Sequence, residues 1–243
     1  MERLDYCYYQ DAQMRFYDCD NKANARISSV MKYIADIAGL DYKEKGYSHE
    51  WLWENGYVFL LSKVSIRINK IPKSEEKIVI ETWEKGTKGP LFYRDINIYS
   101  QDGEKLVEAS TAWILANPVS RKILRPEEFS GQTHEHPEKA AQVLEVGKIK
   151  NDCDLIFRGI RKIVYSDIDA NNHVYNAVYA DIACDFLPHE IMDKEVTDFR
   201  INFKHEAVLD DEISMFYSKN GDTVYVYGEV NEEICFECEF YIK

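Results

Sequence analysis

What the sequence lacks narrows the possibilities first. No stretch of about 18 apolar residues occurs in the 243-residue chain, so no membrane span is expected. Met1 to Gln10 carries Glu2 and Asp5 and has no apolar run of the kind a secretion signal needs. It is also not Arg- and Ser-rich like an organelle leader, and the expected location is cytoplasmic. Positive charge is scarce: 30 Lys and Arg stand against 43 Asp and Glu, for a net charge of -13. Such a chain repels polyphosphate, which argues against nucleic acid as a partner. An acidic protein would be repelled at long range too, so docking one needs a local basic patch.

Cysteines are present without a pattern. The six lie at 7, 19, 153, 184, 235 and 238, and reduced thiols are the default in a chain of this kind. Cys235 and Cys238 have the spacing of half a metal site. However, Ile234, Phe236, Cys238, Phe240 and Ile242 alternate as in a strand, which sends the two thiols to opposite faces. No second pair exists to complete four ligands. His134 and His136 sit beside Pro137 without evident further ligands and read as exposed loop. Neither a metal nor a cofactor is expected.

What the chain does have is core material. Apolar residues make up 45% and charged residues 30%, a soluble globular profile. Seventeen Tyr, 11 Phe and 4 Trp favour long strands. Tyr6–Tyr17 reads as a strand. A helix is predicted over Asn24–Gly39, with Ile27, Val30, Met31, Ile34 and Ile37 at helical spacing and Gly39 as its stop. Four strands follow, over Val58–Ile71, Lys77–Lys85, Leu91–Tyr99 and Glu104–Ala116. Asn117–Lys150, with Pro118, Pro126 and Pro137 and little periodicity, reads as a connecting segment. Then the order repeats: a strand over Cys153–Tyr165, a helix over His173–Leu187, and strands over Val196–Ala207, Glu212–Ser218, Thr223–Val230 and Glu233–Ile242. The expected organisation is two domains, 1–125 and 151–243, joined by a linker over 126–150.

This is an internal duplication. Asp20, Asn24 and Ile27 match Asp167, Asn171 and Val174 in spacing, and Val64, Ile66, Ile68, Glu76 and Ile78 match Phe199, Ile201, Phe203, Asp211 and Ile213. Each half has a helix that is apolar on most faces and must be surrounded. The simplest architecture is α+β: an antiparallel sheet curled around the helix, with two such sheets joined edge to edge.

The run Asp169-Ala-Asn171-Asn-His173, with Val174, Asn176 and Tyr179 after it, resembles the signature of hotdog-fold thioesterases, and most closely the plant and bacterial acyl-acyl-carrier-protein thioesterases. The resemblance covers nearly the whole chain and implies a double hotdog. It further implies hydrolysis of a fatty acyl thioester, with acyl carrier protein as the partner. The segment Phe203-Lys-His-Glu206-Ala207 resembles a family stretch in which Glu is followed by Cys. Here Ala207 stands in the Cys position, so a thiol nucleophile is excluded there and water activated by a carboxylate or imidazole is the expected route.

The candidate catalytic residues are therefore Asp169, Asn171, His173 and Glu206. Either Glu206 or His173 is suited to take a proton from water. Asn171 is suited to orient that water, and Asp169 to hold His173 or accept from helix N–H groups. Taken singly, Asp and Asn before a helix are common caps and a lone His is more often structural. It is the combination that favours catalysis. The first half lacks it, with Arg26 near the position of His173 and Ile71 at that of Glu206. By the resemblance, the acyl pocket belongs to the N-terminal half, with Met31, Trp53, Phe59 and Trp113 as candidate lining, though each is equally readable as core. A homodimer is possible. An acyl-CoA thioesterase of the same fold is the alternative. A hotdog hydratase is disfavoured because its His follows Asn by three residues, with Pro between.

Overall fold

The computed structural model describes residues 3–243, apart from the side chain of Met192. The first half contains β1 (Tyr8–Gln13), α1 (Ile27–Glu44), α2 (His49–Glu54), β2 (Val58–Ile68), β3 (Lys77–Lys88), β4 (Leu91–Ser100), β5 (Lys105–Ala116) and the short β6 (Ile123–Leu124). The second contains β7 (Ile156–Lys162), α3 (Asn176–Asp185), α4 (His189–Met192), β8 (Val196–Phe203), β9 (Glu212–Asn220), β10 (Thr223–Val230) and β11 (Glu233–Ile242). The described strands form one 11-stranded sheet in the order β1-β3-β4-β5-β2-β8-β11-β10-β9-β7, with β6 paired to β5.

The halves meet along the antiparallel pair β2–β8, with Val64 opposite Ile201 and Ile66 opposite Phe199. Each of these strands would otherwise be a bare edge with unpaired backbone groups. Arg67 Nε donates to Asp198 Oδ1 across the seam at 2.8 Å. On the concave side, α1 and α3 share one apolar core. Val30, Ile34 and Ile37 of α1 and Ala177, Ala180 and Ala183 of α3 are all buried, and the alanines keep α3 slim enough to fit inside the curl. This is the edge-to-edge arrangement expected from the repeat, and the double hotdog that the resemblance implies.

Residues 126–150 do more than connect. Residues 139–148 run over the outer face of the sheet and bond to β3, β4, β5 and β8. Trp83 Nε1 donates to Lys139 O, Ala141 N to Asp95 Oδ2, and Gln142 N to Glu108 Oε2. Further on, Arg200 Nη1 donates to Glu145 O and Asn202 Nδ2 to Gly147 O. This cover explains why β5 is buried on both faces. His136, expected on an exposed loop, stacks on Tyr6 with ring centroids 3.7 Å apart.

Several expected boundaries shift. The helix expected to stop at Gly39 continues to Glu44, and β1 is limited to Tyr8–Gln13. In the second half α3 begins at Asn176, not His173, and β8 ends at Phe203, not Ala207. Those last two shifts fall at the candidate site.

Candidate active site

Asp169 to His173 forms a closed loop ahead of α3. Ile168 bridges Val174 at its base. Inside it, Asp169 N donates to His173 O at 2.9 Å and Asn172 N to Asp169 O at 3.1 Å. Asp169 Oδ1 accepts from the backbone N–H of Asn171 at 2.8 Å and of His173 at 3.5 Å. An Asp carboxylate that binds its own downstream backbone favours a turn over a helix, which is why α3 starts three residues later than the pattern predicts. Asn172 takes φ 65°, a left-handed conformation that Asn tolerates better than most residues.

Glu206 arrives from the other side. After β8 ends, Lys204 N and His205 N both donate to Cys235 O, at 2.8 and 3.3 Å, and turn the chain out of the sheet. Glu206 therefore sits in a turn rather than on the strand. Val174 N then donates to Ala207 O at 2.9 Å, tying that turn to the loop. His173 and Glu206 each precede one partner of this bond. Their side chains meet, with His173 Nε2 3.1 Å from Glu206 Oε2. The two side chains are 25% and 48% exposed, so water can reach the pair. Arg121 Nη1 lies 3.8 Å from the same carboxylate oxygen and is itself 79% exposed, a contact that solvent screens strongly.

Of the four candidates, the structure brings His173 and Glu206 together. Asn171 is exposed and turns its amide to Asp169 Oδ2 at 3.4 Å, away from the pair. Asp169 accepts from loop N–H groups, not from the helix and not from the His173 ring. Ala207 is fully buried and offers no nucleophile. The thiol of nearby Cys235 is buried as well, and burial pushes its pKa up to about 11, so it stays protonated.

A pocket lies in the first half between α1, α2 and the ends of β2–β5. Phe59 and Trp113 line it, together with Leu52 and Phe92. Met31 is buried in the main core and does not line it; Trp53 is 51% exposed and stacks on His49 instead. The wall on α1 is Ala35, Ala38, Gly39 and the ring of Tyr42. Gly39 is exposed at the rim of the pocket, and a Cβ built on it meets nothing within 4 Å. Gly39 thus keeps space clear instead of ending the helix. Helically spaced small residues were the available signal. Arg94 and Glu84 also reach the wall, held with Asp41 and Lys45 in a compact ion-pair cluster. Phe59 lies at the start of β2, and β2 pairs with β8 from Lys63 opposite Asn202, one residue before β8 ends. Pocket and Glu206 therefore lie toward the same end of the seam.

The first half contains the same loop without the His–Glu pair. Asp20 N donates to Asn24 O and Ala23 N to Asp20 O, Ala23 has φ 60°, and Ala25 N donates to Pro72 O. Asp20 Oδ1 accepts from Lys22 N and Asn24 N. Bond for bond, Asp20 corresponds to Asp169 and Asn24 to His173. The match of Asp20 to Asp167 read from spacing was two residues out, and the counterpart of His173 is Asn24, not Arg26. Ile71, preceding Pro72, corresponds to Glu206 as read.

Fold and loop together define a double-hotdog protein with an acid–imidazole pair in its second half. Residues 5–130 match the acyl-ACP thioesterase N-terminal domain and residues 158–242 the C-terminal domain, and the chain belongs to the acyl-ACP thioesterase family. It is 23% identical over 219 residues to the chloroplastic acyl-[acyl-carrier-protein] hydrolase FATB2 of Cuphea viscosissima, covering 82% of this chain and 52% of that one. It is also 23% identical over 206 residues to the chloroplastic palmitoyl-acyl carrier protein thioesterase of Arabidopsis thaliana, covering 77% and 49%. The chain thus spans about half the length of the curated relatives it matches. In fold it is similar to an acyl-ACP thioesterase from Bacteroides thetaiotaomicron (TM-score 0.90, 20% identity, 98% of each chain). It is likewise similar to the 12:0-ACP thioesterase of Umbellularia californica (TM-score 0.80, 14% identity, 100% and 99%). Among the described residues, no helix is long and apolar enough to cross a membrane.

Proposed function

We propose that this chain hydrolyses the thioester linking a fatty acyl group to acyl carrier protein, releasing the free acid. The observation that carries the reading is the 3.1 Å contact of His173 and Glu206 at a solvent-reachable loop, in a chain matched to this family along both halves. A thioester carbonyl is already electrophilic, so the protein needs to supply a positioned water, a base and charge stabilisation. In this reading Glu206, oriented by His173, accepts a proton as the water oxygen adds to the carbonyl carbon. The intermediate then collapses, the carbon–sulfur bond breaks, and the leaving thiolate takes a proton back from the pair. In the first turn of α3 Val178 N is already bonded to Tyr175 O, and the N–H groups of Asn176 and Ala177 are the proposed donors to the thioester oxygen. Asp169 acts by holding the loop. The first-half pocket takes the acyl chain, which makes 1–125 the acyl-binding unit and 151–243 the catalytic one.

The test is hydrolysis of a panel of acyl groups on carrier protein and on CoA, side by side, with wild type, His173→Ala and Glu206→Gln. Preferred turnover of the carrier-bound form, lost in both variants, is expected. A large preference for CoA would assign the carrier differently, and undiminished turnover in both variants would refute the site.

A further inference from the structure

The turn that carries Glu206 is held by a bond that the first half does not have. Ala207 N donates to the hydroxyl oxygen of Tyr179 on α3 at 3.0 Å. Tyr179 is 3% exposed, with its ring 5.0 Å from Phe236 and 5.8 Å from Phe203. Burial pushes the phenol pKa up, so the hydroxyl stays neutral. In the first half the place of Ala207 is taken by Pro72, which accepts from Ala25 N just as Ala207 accepts from Val174 N. Proline has no N–H to satisfy. The helix position matching Tyr179, three residues after the first residue of each helix, is Val30. Ile71 stands where Glu206 does. Carboxylate, free N–H and tyrosine hydroxyl thus occur together in one half and are absent together from the other.

We infer that Tyr179 is a positioning residue that fixes Glu206 through the Glu206–Ala207 peptide. The N–H it holds belongs to the planar unit that includes the Cα of Glu206, so pinning that N–H fixes where the carboxylate leaves the chain. Glu206 needs this because it lies beyond the end of β8, outside the sheet ladder. The opposite side of Ala207 is pinned by Val174 N, next to His173, so the two bonds together set the His173–Glu206 distance. In the first half Ala25 N to Pro72 O and Ser74 N to Ala23 O hold the segment without a side-chain tie to residue 72.

The inference rests on the proposed hydrolysis, and a cycle of variants separates the two. Tyr179→Phe removes one oxygen and keeps the ring. Its single-turnover rate on hexadecanoyl-acyl carrier protein, with KM from steady state, is compared with wild type, Glu206→Gln and the double variant, well below the melting temperature of each. The expected result is a kcat lower by about tenfold or more with KM nearly unchanged. In the Glu206→Gln background, Tyr179→Phe should cost nothing further, because it acts through that carboxylate. Wild-type kcat in Tyr179→Phe, or the same fractional loss in both backgrounds, would overturn the positioning role. Full turnover by Glu206→Gln alone would instead overturn the reading of the site.

Discussion

The two loops ahead of α1 and α3 share a backbone and differ in what they present. Asp20 and Asp169 each gather two downstream N–H groups, and both loops pass through one left-handed residue, Ala23 or Asn172. The loop is therefore a structural solution for feeding a buried helix from an edge strand. Asp169 is not special for being an Asp before a helix, since Asp20 does the same work beside Asn24 and Ile71. Besides the loop residues Asn171 for Lys22 and Asn172 for Ala23, four places differ around the pair: His173 for Asn24, Glu206 for Ile71, Ala207 for Pro72 and Tyr179 for Val30. On one scaffold, the second half presents the His173–Glu206 pair and the first half a pocket beside Gly39.

The contrast breaks most visibly at Glu206. Glu206→Gln is expected to lower kcat by about 10²–10⁴, whereas Ile71→Gln at the matching place should leave kcat intact, as steady-state assays of both will show. Next comes the pocket. Gly39→Leu puts a side chain at the rim of the pocket and should cut kcat/KM for a hexadecanoyl substrate about tenfold more than for an octanoyl one, read from a chain-length series. Gly39→Ala should raise stability by about 0.5–1 kcal/mol, since Gly is a poor residue in a helix.

Smaller effects sharpen the comparison. Asp20→Ala and Asp169→Ala each remove a turn acceptor and should each cost about 1 kcal/mol in urea unfolding, yet only Asp169→Ala should also lower kcat. On the outer face, Glu81 is buried under residues 126–150. Burial pushes its carboxyl pKa up, but bonds from Lys139, Tyr9 and Asn97 outweigh this and leave it below the usual value of 4.5. A carboxyl depressed in the folded state contributes stability above its unfolded pKa and loses it as pH falls through the folded one. Unfolding measured below pH 4.5 should therefore show wild type losing stability faster than Glu81→Gln.

The repeat, the central helices and the edge-to-edge sheet were legible in the sequence because apolar periodicity records burial directly. His173 and Glu206 were legible from their motif. The bounds around them were not. Lys204-His205-Glu206 contains no Gly or Pro to mark a strand end before Ala207 and Val208, so the pattern cannot show that backbone bonds to Cys235 O turn the chain away there. The helix was drawn from His173 because Val174 is in phase with it, while the Asp169 turn that delays the helix leaves no periodic trace. Local propensity makes Gly39 a helix stop, whereas α1 runs on through it to Glu44. Tyr179 lay within the quoted motif, but its partner is a backbone N–H 28 residues away, which no spacing rule reveals.

In the proposed reaction His173 and Glu206 act as one unit in the second half. Single-turnover hydrolysis of hexadecanoyl-acyl carrier protein by His173→Ala, Glu206→Gln and the double variant tests it most directly. Each single change should cost about 10²–10⁴ in rate, and the double little more than either alone, as for groups that serve one step together. Undiminished turnover in either single variant, or losses that multiply in the double, would contradict it.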